Sequence, residues 1–139
     1  MPTVHKSLPA ERTGTPASPG LRERRTKFAA TEFDPALGVA AGDADFAGVP
    51  CRTIRAGDRA TILYLHGGGY RMGSPEAYNA YAAALAVGAE ATVVLPRYRL
   101  APENPFPAGL RDALAVYEQL ASAAEGPIIL GGDSAGAGL

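Results

Sequence analysis

The sequence has no tryptophan, one cysteine, two histidines and two methionines among 139 residues. A lone Cys51 excludes an internal disulfide and leaves no thiolate cluster for a metal. It falls in a run that reads as a strand, where a buried free thiol is the ordinary outcome. With no disulfide, a reducing, cytoplasmic setting is the default expectation. No apolar stretch approaches the ~18 residues of a membrane-spanning helix, so no membrane span is expected. Arg24 and Arg25 precede "TKFAATEFD", which lacks the apolar core of a secretion signal. An excess of charge is missing too. Thirteen Lys and Arg face fourteen Asp and Glu, a formal net charge of -1, so no nucleic-acid partner is expected.

What the chain does contain is 47% hydrophobic residues, 17 glycines and 12 prolines, unevenly placed. This length and apolar content suffice for one packed core. Residues 1–20 hold Pro2, Pro9, Pro16 and Pro19 among Ser, Thr and Gly and read as an irregular arm. Residues 1–30 carry an excess of four positive charges, which reads as a solvated, mobile terminus. Within 21–47, "LRERRTKFAATEF" suits a helix that stops before Asp34-Pro35, because proline disfavours a helical residue before it.

The pattern sharpens from about residue 49. "VPCRTIRA" reads as a strand and "AGDR" as a turn. "TILYLH" is a β-branched apolar run stopped by three glycines. Ser74-Pro75-Glu76 has the chemistry of a helix start, and Gly88 is placed to end the helix that follows. "ATVVLP" is a second buried-type strand. Leu110, Leu114, Tyr117 and Leu120 then recur at helical spacing, and "IIL" at 128–130 follows as another strand. Apolar strands alternating with helices indicate an α/β fold, with a mostly parallel sheet covered by helices on both faces. Such sheets place their chemistry at the C-terminal ends of strands, where both glycine-rich stretches fall.

Gly132-Asp133-Ser134-Ala135-Gly136 satisfies G-x-S-x-G directly after a strand. A turn this sharp forces the serine to positive φ and brings the residues two before and two after it against backbone, hence the glycines. By itself the pattern also fits a glycine-rich strand-to-helix turn with a capping Ser or Asp. A phosphate loop fails because Ala137-Gly138 stands where Lys-Ser/Thr is needed. A dinucleotide fingerprint starting at Gly67 fails at Met72. The serine needs preset N–H donors for an oxyanion, and "HGGGY" supplies glycines that can turn their N–H groups inward.

"LYLHGGGYRMGSP", "YRLAPENPFPAGLRDALAVYEQL" and "ILGGDSAGAGL" together resemble the hormone-sensitive-lipase-like branch of the α/β-hydrolases, over about residues 49–139. The resemblance implies an α/β-hydrolase fold and a carboxylic-ester hydrolase acting on small acyl esters through an acyl-enzyme, with neither metal nor cofactor. It implies Ser134 as nucleophile, an oxyanion hole from Gly67, Gly68, Gly69 and Ala135, and structural support from His66, Gly132, Gly136, Tyr98, Arg99 and Glu103. It assigns 21–47 to an N-terminal cap segment and 48–139 to the hydrolase domain. Arg97 departs from it, standing where relatives often have Asp before the tyrosine; a changed surface network without loss of mechanism is expected.

An acid and a histidine follow the serine in this fold, and neither follows Ser134 here. His5 lies in the arm and His66 suits loop orientation. Asp112 reads as a solvated helix face and Asp133 as the elbow's variable position. The expectation is therefore a hydrolase cut after its nucleophile elbow, inactive as 139 residues. The alternative is an inert fragment, or a piece that binds acyl ligands or complements a second chain.

Overall fold

The computed structural model describes residues 8–29 and 38–139. Five strands, β1 (Ala40–Phe46), β2 (Val49–Arg55), β3 (Thr61–Leu65), β4 (Thr92–Pro96) and β5 (Ile128–Gly132), form one sheet in the order β1-β2-β4-β3-β5. β3 runs parallel to β4 and to β5, as two crossovers require. β1 and β2 join antiparallel at the β4 side. Their hairpin turns on Ala47 and Gly48, both left-handed at φ 55 and 80, the backbone that matches strand twist. The Gly48 N–H closes the turn on the Asp45 carboxylate at 2.8 Å.

Helices cover both faces of this sheet, as the continuous apolar strands require. On one face Ile54, Ile62, Tyr64, Val93 and Leu95 pack against Ala82, Ala83 and Ala86 of α2 (Asn79–Ala89). On the other, Cys51, Leu63, Leu65 and Val94 meet Ala113, Val116 and Leu120 of α3 (Ala108–Ala123). Val93 and Val94 thus serve opposite cores, as the two-residue strand period dictates. Among the described residues two further α-helices are α1 (Pro19–Ala29) and the short α4 (Ala135–Gly138) after β5. Among the described residues no helix is long and apolar enough to cross a membrane.

Four expectations need correction. Gly88 does not end α2; the helix runs to Ala89, and Glu90 takes the left-handed position at φ 50. The β2–β3 turn fixes that choice, since the Glu90 carbonyl accepts the Arg59 N–H at 3.0 Å and packs on Gly57. Ser74 is extended and Pro75 begins the first turn, but that turn is a 3-10 helix (Pro75–Tyr78) and the Ser74 side chain makes no capping bond.

Asp112 is not on a solvated face; it is 8% exposed beneath Arg99. The arm is also not free from residue 8 onward. Arg111 donates to the carbonyls of Leu8 and Pro9, Glu11 pairs with Arg99, and the Thr15 N–H reaches the Pro102 carbonyl at 2.9 Å. Its proline-broken backbone leaves groups that other segments satisfy, here α3 through Arg111 and the loop after β4 through Pro102. His5 and residues 30–37 lie outside the described residues. Residues 40–46, inside the span that the resemblance gave to a cap, form strand β1.

Candidate active site

β3 and β5 are adjacent and in register, Leu65 opposite Gly132. The residues that follow them, His66-Gly67 and Asp133-Ser134, therefore emerge side by side at one end of the sheet. Ser134 is exposed and held at φ 49, ψ -118, between the end of β5 and the start of α4. The flanking glycines are required by contact. A Cβ on Gly136 would lie 1.8 Å from the Leu65 carbonyl oxygen, and one on Gly132 would lie 2.7 Å from the Gly136 carbonyl carbon. Ala135, next to the serine, is buried.

The loop after β3 winds through left-handed backbone at Gly68, Gly69 and Tyr70, with φ 125, 62 and 60. The Gly68 carbonyl accepts the N–H groups of Arg71 and Met72 at 3.1 and 2.9 Å, closing the loop into a turn. Among the described residues, the backbone N–H groups of Gly68, Gly69 and Ala135 donate to no protein acceptor. Gly67 differs from its neighbours. Its N–H donates to the Asp133 carboxylate at 2.9 Å, with the Tyr78 hydroxyl at 3.2 Å. Of the three glycines expected as donors, Gly67 thus has its N–H already engaged within the fold.

Asp133 is the residue that the sequence undervalued. Besides Gly67, it accepts the Tyr78 hydroxyl at 2.9 Å and the Tyr64 hydroxyl at 3.3 Å, tying the serine turn to the loop after β3. Burial, with the Asp133 carboxylate beside them, pushes both phenols above their ordinary range, so they remain neutral donors. Tyr64 and Tyr78 carried no signal of this role, because only the pairing of β3 with β5 and the packing of the 3-10 helix bring them to Asp133.

His66 is 2% exposed, and burial pushes its imidazole below the usual range. Its Nδ1 lies 2.7 Å from the Gly67 carbonyl, which can only accept, so Nδ1 carries the proton. The ring stacks on Tyr98 at 4.3 Å, and the Tyr98 hydroxyl donates to the His66 carbonyl.

The segment 97–103 frames the loop. Arg99 donates its backbone N–H and one guanidinium edge to Asp112, and the other edge to Glu11. Arg25 of α1 donates to both Glu103 oxygens at 2.7 and 2.9 Å and holds that carboxyl down to about 2. Arg97 bridges Glu76 and Asp43, so two acids neutralise the departure noted at this position. A cleft of about 410 Å³ beside the loop is lined by Gly69, Tyr70, Tyr98, Phe106 and Leu110, among others.

Residues 62–139 match a family model described as the α/β hydrolase fold, more than half of the chain. An acetyl-hydrolase of Streptomyces hygroscopicus is 48% identical over 84 residues, 59% of this chain and 28% of that protein. The carboxylesterase NlhH of Mycobacterium tuberculosis (strain H37Rv) is 46% identical over 54% of this chain and 25% of its own length. Among solved structures, a hormone-sensitive lipase from a metagenome library superposes with a TM-score of 0.81 at 40% identity, covering 89% of this chain and 44% of that one. The chain thus spans less than a third of these two curated relatives.

Proposed function

The chain belongs to the α/β-hydrolase fold family, in its hormone-sensitive-lipase-like branch, and from that premise we propose that it carries the nucleophile and oxyanion half of a serine ester-hydrolase site. One observation carries the reading: Ser134 sits at φ 49 on the β5–α4 turn, beside a loop whose Gly68 and Gly69 N–H groups have no protein acceptor among the described residues. Ser134 Oγ attacks the ester carbonyl carbon, and its proton passes to an imidazole base. The carbonyl oxygen becomes an oxyanion that accepts from Gly68, Gly69 and Ala135. Each such donor is worth about 3 kcal/mol of transition-state stabilisation. The alcohol leaves with the proton returned, and water hydrolyses the acyl-enzyme by the reverse sequence.

His66 is a poor base, since it is buried, stacked and bonded through Nδ1 to its own loop. The proposal therefore assigns the imidazole and its orienting acid to residues outside this sequence, of the kind that relatives about twice as long have room for. The names acetyl-hydrolase and carboxylesterase on those relatives favour small acyl esters as the substrate class. Fluorophosphonate labelling tests the reading. This chain is grafted in place of the matching part of NlhH, and the modified residue is mapped by mass spectrometry. Labelling at Ser134, absent from Ser134→Ala, is expected; labelling elsewhere, or none in a folded graft, contradicts it. The 139-residue chain alone is expected to remain unlabelled.

A further inference from the structure

Gly68 and Gly69, whose N–H groups have no acceptor among the described residues, lie in a loop that is fastened at both ends. At its entry the Gly67 N–H is held by Asp133. At its exit, the Tyr70 carbonyl accepts the Ala101 N–H at 2.8 Å. The Arg71 carbonyl accepts Nε of Arg25, also at 2.8 Å.

Arg25 lies on α1, far from this loop in sequence, yet its guanidinium serves four acceptors at once. Nε takes the Arg71 carbonyl, one terminal nitrogen takes the Ala101 carbonyl at 2.9 Å, and the Glu103 carboxylate receives the rest at 2.7 and 2.9 Å. Two of the four acceptors are main-chain carbonyls. One belongs to Arg71, two residues past Gly69, and the other to Ala101, whose own N–H binds Tyr70. The carboxylate fixes the plane of the guanidinium, and the plane sets where Nε points.

We propose that Arg25 is a positioning residue for oxyanion stabilisation, fixing the Gly68–Gly69 donors by clamping the exit of their loop from the N-terminal helix. The role rests on the oxyanion reading of those two glycines. An ion pair that only anchored α1 would not need its Nε on the loop. Lysine keeps the charge at this position but cannot reproduce a planar fork on four acceptors.

Hydrogen exchange on the full chain reads the clamp without reference to activity. The amides of Arg71 and Met72 donate to the Gly68 carbonyl, so their protection reports whether the turn is closed. Arg25→Lys lowers protection at these two amides about tenfold, the loss of charge-assisted bonds, with the β3 and β4 amides unchanged. Unchanged protection at Arg71 and Met72 overturns the proposal. If Arg25→Lys loses β3 protection as well, Glu103→Gln decides. It leaves both carbonyl bonds but frees the plane, and about threefold loss at the same amides is expected; no loss overturns the clamp.

In a graft showing Ser134-dependent ester turnover, Arg25→Lys lowers kcat about tenfold with KM within about twofold, the signature of a lost transition-state interaction. A KM effect alone overturns the positioning role. A graft without Ser134-dependent turnover overturns the hydrolase reading instead, and the exchange result then judges the clamp by itself.

Discussion

The serine turn depends on atoms that leave no room. Gly136 approaches the Leu65 carbonyl so closely that any side chain forces β3 and α4 apart, whereas Gly69 has nothing within 4 Å of a notional Cβ and is constrained only by φ 62. Gly136→Ala is therefore expected to cost about 3 kcal/mol or more in urea unfolding, and Gly69→Ala about 1 kcal/mol from backbone strain alone. Equal losses would mean that the contact at Gly136 relaxes freely. The glycines around Ser134 were legible because a strand-to-helix turn demands them locally. The commitment of the Gly67 N–H was not, because it depends on Asp133 and Tyr78, which the fold brings to it from other elements.

At the scale of elements, the periodic ones were legible and the dependent ones were not. β3, β4 and α3 announce themselves through continuous or helically spaced apolar residues, since each buries its own side chains. "AAGDADF" has a composition poor in strand formers and becomes β1 only by pairing with β2 along its whole length. Asp112 reads as surface until Arg99 folds over it, and Arg99 also grips Glu11 of the arm. That grip makes one side chain responsible for two elements. Arg99→Leu leaves the Asp112 carboxylate with the backbone N–H alone, and a loss of about 2–3 kcal/mol is expected, discounted for the exposure of Arg99. Trypsin should also cut after Arg12 faster in this variant than in the unaltered chain. An unchanged cleavage rate would show that the remaining arm contacts suffice.

Across the whole molecule, the sheet has two different edges. β1 presents Asp43 and Asp45, charges that discourage further pairing. β5 pairs only with β3 among the described residues, and it exposes Ile129 at 47% and Leu130 at 64%. An exposed apolar edge strand of this kind templates association. The 139-residue chain is expected to self-associate in light scattering, and Leu130→Lys to reduce that association while leaving the far-ultraviolet dichroism unchanged. Scattering that does not respond to Leu130→Lys would place the contact elsewhere.

The two glycine-rich turns that meet between β3 and β5 carry the account, and Ser134 is its centre. The most direct measurement is p-nitrophenyl acetate turnover by the NlhH graft, with and without Ser134→Ala. The account predicts turnover in the graft and a loss of about 10⁴-fold or more in kcat in the variant, as removal of a catalytic nucleophile brings. Turnover that survives Ser134→Ala would contradict it.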